Sequence, residues 1–288
     1  MSPELWHSVG SGSNPYRHLL PVAGGLGYGL SIPRARPCNH DGPATMGPFA
    51  MLYPLSTLAL GPLLLGQGRY VRRVTPRLPE AEGERAGELG AGPALRLLIL
   101  GDSAAAGVGV ERQDEALAGR LVASLGREFR LHWQLWAETG RTSGDLLRVL
   151  QQAPSQRFDV VLVSMGVNDV TGRTADRPWL AHLHEVSGLL AGRFGARQVL
   201  FTAIPPMHLF PALPQPLRWY LGLRARQLNA LMAAFCADQA QTRYLSVGFP
   251  LEPGYLAADG FHPGREAYQL WADHAATAIC DAAHTMAR

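Results

Sequence analysis

Residues 95–109 read LRLLILGDSAAAGVG: an apolar run, Leu95 to Leu100, interrupted only by Arg96, that breaks at Gly101-Asp102-Ser103 into small residues and glycines. A short apolar run closed by a turn signal is the pattern of a strand buried on both faces. Further runs follow at 130–136, 158–164, 198–204 and 243–247, with helix-period stretches between them. The stretch from Leu217 to about Gln239 places Leu217, Leu221, Leu228, Leu231, Met232 and Phe235 on one broad face. Strands alternating with helices in this way predict an α/β fold, a parallel sheet covered by helices on both faces. No internal repeat is present.

Upstream of residue 95 the sequence changes character. Half of the chain's Gly and Pro residues, 27 of 54, fall in the first 94 positions. Residues 1–48 lack a sustained apolar period and are expected to be a disordered extension. Residues 49–75 form an apolar segment with a basic flank: Phe49 to Leu65 is almost wholly apolar, and Arg69, Arg72, Arg73 and Arg77 follow. As a helix the 17 apolar residues would reach about 25 Å against a bilayer core of about 30 Å, and Pro54 and Pro62 would kink or break it. Two readings stay open, an arm packed on the domain and a membrane-associating arm that uses 49–77. No A-x-A-like site follows, so a cleavable secretory signal is not indicated. Residues 76–94, rich in Pro, Gly and Glu, read as a linker, and 95–288 as the folded domain.

The chain of 288 residues holds 26 basic side chains, all arginine, and no lysine. That excludes a P-loop lysine, a Schiff-base lysine and a Ser-x-x-Lys nucleophile, because arginine neither deprotonates at ordinary pH nor serves as a compact nucleophile. A net charge of +3 with scattered arginines excludes a nucleic-acid footprint. Cys38, Cys236 and Cys280 have neither zinc-ligand nor disulfide-framework spacing. This usage is compatible with a cytoplasmic setting, and the arm at 49–77 would place the protein at the inner face of a membrane.

In an open parallel sheet ligands bind at the carboxyl ends of the strands, so the loops there carry the chemistry. Ser103 follows the first run, where it is either a nucleophile presented at a turn or a helix N-cap. After the second comes Thr139-Gly140-Arg141, whose glycine is either a simple turn residue or a backbone N–H donor to a ligand. Asn168 follows the third, either in an Asx turn or aiming its amide at a developing oxyanion. Beyond the fifth, Asp259 and His262 stand at an i, i+3 spacing that can fold a carboxylate onto an imidazole.

Each motif alone is common; the four in this order resemble the SGNH, or GDSL, hydrolase family. The blocks are GDSAAAGVGV (101–110), ETGRTSG (138–144), SMGVND (164–169) and DGFHP (259–263), within about residues 95–284. Ala104 stands where the GDSL name has leucine. The resemblance implies a flavodoxin-like three-layer αβα sandwich with a five-stranded parallel sheet. It also implies Ser103 as nucleophile, His262 as general base and acid, Asp259 as orienting carboxylate, and an oxyanion hole from the Ser103 and Gly140 N–H groups and the Asn168 side chain. No metal or organic cofactor is implied. The expected function is a serine ester hydrolase of carboxylesterase or lysophospholipase type; the alternatives are a silent module of the same fold and an acyltransferase using the same serine. The G-x-S-x-G elbow of the rival α/β-hydrolases is absent. Gly107-Val108-Gly109 has the wrong phase for a dinucleotide fingerprint, because residue 112 is Arg.

The Pro-rich loop 205–216 is apolar, and Met207, Phe210 and Leu213 are expected to contact a small-molecule or lipid ester. Arg141, beside Gly140, is either a solvated surface arginine or a ligand for an acidic group.

Overall fold

A computed structural model of the chain describes residues 48–248, 250 and 253–286. The expected disorder before residue 48 and Cys38 lie outside them. In chain order the elements are α1 (Pro48–Val74), β1 (Ala86–Leu89), β2 (Ala94–Gly101), α2 (Leu117–Leu125), β3 (Arg130–Ala137), α3 (Ser143–Gln152), β4 (Val160–Ser164), α4 (Val167–Gly172), α5 (Asp176–Gly192), β5 (Gln198–Thr202), α6 (Leu217–Asp238), β6 (Thr242–Leu245) and α7 (Arg265–Met286). Short 3-10 turns lie at Met207–Leu209 and Pro253–Tyr255.

One six-stranded sheet runs in the order β1-β3-β2-β4-β5-β6. The strands β2 to β6 are parallel, which is the doubly wound order second-first-third-fourth-fifth. The continuous apolar runs have a simple cause. Leu97 and Ile99 of β2 pack in a core with α2 and α7, while Leu98 and Leu100 pack in the opposite core with α3, α5 and α6. Both faces are covered, so both phases of the strand must be apolar.

The sheet has six strands and not five. The sixth, β1, lies inside the stretch expected to be a linker and pairs antiparallel with β3 from Ala86↔Gln134 to Leu89↔Leu131. Its AGEL residues are all exposed, so only the backbone ladder defines it and no hydrophobic alternation marks it. Gly90 then turns with φ +89°, where a Cβ would stand 2.1 Å from the Phe129 carbonyl oxygen. The glycines that suggested a flexible connection are a requirement of close backbone approach.

The segment 49–75 is one continuous helix up to Val74 despite Pro54 and Pro62. Pro62 and Leu58 are both exposed, so water can satisfy the carbonyl that Pro62 leaves without a donor. The helix packs on α6: Tyr53 stacks on Tyr220 at 4.8 Å, with the Arg224 guanidinium 5.2 Å from the Tyr53 ring. Thr57 Oγ1 and Tyr220 Oη are 2.9 Å apart, and Leu64 is buried. Gln67 donates to the Gln215 carbonyl and accepts from the Leu217 N–H, pinning the other end. Leu55, Leu58 and Leu63 remain exposed. Among the described residues no helix is long and apolar enough to cross a membrane.

Candidate active site

The register of the central strands sets the site. Gly101 of β2 is level with Ala137 of β3 and with Ser164 of β4, so the loops carrying Ser103, Gly140 and Asn168 leave the same edge of the sheet side by side. This edge is the point where the chain crosses from one side of β2 to the other, which opens a crevice between the flanking loops. Ser103 does not cap a helix. It sits in a turn that runs well short of α2, and its Oγ lies 3.0 Å from His262 Nε2.

His262 comes from the loop before α7. Its Nδ1 is 2.5 Å from Asp259 Oδ2, and Asp259 Oδ1 accepts the N–H groups of Phe261 and His262, each at 3.0 Å. Burial by itself would raise the Asp259 carboxyl. The bonds from the His262 ring and the two backbone N–H groups outweigh it and hold the carboxyl below the usual aspartate range. The loop is tied to the Ser103 turn by Tyr268 of α7, which donates from its buried hydroxyl to the Val108 carbonyl at 2.7 Å.

Gly140 adopts φ +90° with open space around its Cα, a conformation that favours glycine. Among the described residues the N–H groups of Ser103 and Gly140 have no hydrogen-bond acceptor. Asn168 Nδ2 donates to the Arg141 carbonyl at 2.9 Å, which joins the Gly140 loop to α4 and leaves the second amide hydrogen. The five residues named from the four blocks therefore gather at one sheet edge: Ser103, His262 and Asp259 in a hydrogen-bonded line, Gly140 in a loop that Asn168 of α4 ties down through the Arg141 carbonyl.

Several supporting residues escaped the sequence reading. Buried Asp169 accepts from Ser143 N–H at 2.9 Å, Ser143 Oγ at 2.6 Å and Thr174 Oγ1 at 2.9 Å, clamping the start of α3 to α4. His182 Nδ1 is 2.8 Å from Ser143 Oγ. Since Ser143 gives its proton to Asp169, that imidazole nitrogen is the donor. Glu80 accepts from the Thr139 N–H at 2.6 Å and hydroxyl at 2.8 Å and from Arg85 at 3.0 Å, so the supposed linker also holds the Gly140 loop. Asp169 and Ser143 lay inside the quoted blocks, but only their partners reveal their role. Arg141 is neither solvated nor free for a ligand: it pairs with Glu138 at 2.7 Å with its side chain mostly covered.

A cavity of about 70 Å³ opens beside Ser103 and His262, walled by Val167, Ile204, Phe210 and Phe261. Of the three residues expected to contact an ester, Phe210 lines this cavity. Leu213 lines a second cavity of about 380 Å³ on the far side of Phe261. Met207 lines neither. It is fully buried in the core because the 3-10 turn at Met207–Leu209 packs on α6, where Gly222 admits the close approach of His208.

Asp102, next to Ser103, is buried, and its carboxyl is pushed up to about 6. Desolvation raises it; the Ala104 N–H, the His262 charge and the Ser164 hydroxyl only partly oppose this. A folded-state value above the unfolded one makes the native protein bind more protons, so this group's contribution to stability is lost as pH rises from about 4 to about 6. Asp102→Asn is expected to gain on the wild type across that window, by roughly 2 kcal/mol at pH 7 relative to pH 4. Urea unfolding at the two pH values measures it, and a difference between variant and wild type that does not change with pH would disprove the assignment.

The model of the GDSL-like Lipase/Acylhydrolase family matches residues 99–270. The GDSL-like esterase Rv1075c of Mycobacterium tuberculosis is 30% identical over 249 residues, covering 76% of each chain. Among solved structures, a carbohydrate esterase family 2 enzyme with its carbohydrate-binding domain, from Corynascus thermopiles (Myceliophthora fergusii), shares the fold. It aligns with a TM-score of 0.54 and 12% identity over 68% of each chain. Sequence kinship across three quarters of the chain, with the family match spanning the strands and loops that build this sheet edge, means that the chain belongs to the GDSL-like lipase/acylhydrolase family of carboxylic ester hydrolases.

Proposed function

We propose that the protein hydrolyses carboxylic esters through a covalent Ser103 acyl-enzyme. The observation that carries this reading is the line Asp259 Oδ2, His262 Nδ1, His262 Nε2, Ser103 Oγ, with separations of 2.5 and 3.0 Å. The carboxylate accepts a hydrogen bond from Nδ1–H, which keeps Nε2 unprotonated toward the serine. His262 takes the hydroxyl proton as Oγ bonds to the ester carbonyl carbon, and returns it to the alcohol oxygen as the C–O bond breaks. Water then attacks the acyl-enzyme with the same proton traffic. The negative oxygen is held by the Ser103 and Gly140 N–H groups and the second Asn168 amide hydrogen.

The acyl group is bonded to Ser103 and must occupy the cavity that Ser103 lines. Val167, Ile204, Phe210 and Phe261 wall that cavity, which suits it to an apolar acyl group. A fluorophosphonate probe is expected to label the folded wild type at one site and to leave Ser103→Ala unlabelled. Folded wild type that takes no label, or Ser103→Ala that still does, would overturn the assignment.

A further inference from the structure

The cavity of about 380 Å³ between α1, α4 and α6 lies within the range of about 300–1,000 Å³ that small-molecule sites span. It adjoins the site just described: Asn168 lines it, and Phe261, the neighbour of His262, stands between the two cavities and lines both. Its walls are apolar, with Leu64 of α1 facing Leu217 and Leu221 of α6. Two guanidiniums, both on exposed residues, also line it: Arg72, which donates to the Gly68 carbonyl of its own helix, and Arg173 at the end of α4. Among the described residues neither pairs with a carboxylate. A largely apolar cleft with two exposed guanidiniums at its rim is complementary to an apolar chain that ends in an acidic group.

The side of the ester follows from connectivity. The acyl carbon becomes bonded to Ser103, so the acyl group stays in the cavity that Ser103 lines. The alcohol half lies across the carbonyl; its oxygen is protonated in the cavity that Ser103 and His262 share, and the space beyond Phe261, next to Asn168, is the second cavity. We propose that this second cavity binds the alcohol half of the substrate, an apolar chain of about ten carbons ending in a carboxylate or phosphate. The wall supplied by α1 lies outside the matched family region, which begins at residue 99. The inference rests on the ester-hydrolase reading for its substrate, but its test does not depend on turnover.

In Ser103→Ala protein, decanoate and decyl phosphate are expected to bind by titration calorimetry at least tenfold tighter than decyltrimethylammonium. Their relative strength separates a carboxylate from a phosphate preference. Arg72→Gln/Arg173→Gln is expected to abolish that tenfold preference. Gly68→Leu should weaken binding of both anions at least tenfold, since it fills the chamber while leucine suits a helix better than glycine. In the active enzyme the same variants should lower the kcat/KM ratio of 10-acetoxydecanoate over p-nitrophenyl acetate at least tenfold. If fluorophosphonate labels Ser103 but the anions bind no better than the cation, or bind equally to the variants, the second site is refuted. If the anions bind with this pattern while Ser103 takes no label, the site stands and the hydrolase mechanism falls.

Discussion

Asp259→Asn is expected to lower kcat on an activated ester such as p-nitrophenyl acetate by about 10⁴-fold with little change in fold. The carboxylate does two separate things. Oδ2 accepts the ring proton of His262, and Oδ1 accepts two backbone N–H groups. Asparagine keeps a carbonyl oxygen for the backbone but can offer N–H to Nδ1. The imidazole then carries its proton on Nε2, facing Ser103, where it cannot act as a base. Because the wild-type carboxyl is held below its usual range, its contribution to stability is present above the unfolded aspartate value of about 3.9 and lost only as pH falls through the lower folded value. The variant should therefore lose activity at pH 7 while melting as a cooperative unit. Retention of more than a tenth of kcat would show that His262 is not oriented by this bond.

Asn168→Ala carries the second large effect, an expected loss of 10² to 10³ in kcat, about 2.7 to 4 kcal/mol of transition-state stabilisation. One amide hydrogen is engaged with the Arg141 carbonyl, so alanine also releases the tie between α4 and the Gly140 loop. The two consequences separate kinetically. Loss of an oxyanion donor lowers kcat and slows phosphonylation of Ser103, because both reactions pass through a negatively charged oxygen. A loosened loop that served only binding would raise KM. A variant with unchanged kcat and labelling rate would remove Asn168 from the oxyanion hole.

The parts of this architecture that were legible in the sequence are those defined by local pattern. Strands β2, β4 and β5 announced themselves because burial on two faces leaves little room for polar residues in either phase, and β3 because its apolar residues alternate with polar ones. The loops that matter could be located from strand ends alone, since a doubly wound sheet gathers its carboxyl termini on one edge. Asp259 and His262 were visible as a pair because three residues of a tight loop suffice to bring them together.

What escaped depends on partners distant in the chain. β1 has no apolar alternation and exists only because β3 offers a free backbone edge. Glu80 meets Thr139 across 59 positions, and Asp169 meets Ser143 across 26. Met207 and Phe210 are three residues apart with similar character, yet one is sealed in the core and the other faces the reaction centre. The alternatives for Phe49 to Leu65 show the same limit: its composition suits a bilayer or a protein surface equally, and contact with Tyr220 and Leu217 is what placed it against α6.

The sequence by itself determined the α/β fold, the order of the strands along the chain and the identity of the residues at their ends, because periodicity and short spacing are properties of neighbours. Only the tertiary structure decided that Ser103 Oγ stands 3.0 Å from a histidine 159 positions away, and that α1 walls a second chamber beside Asn168. Contacts of that kind arise from packing whole elements against one another, and packing is set by the shape and burial of surfaces that no single stretch of sequence contains.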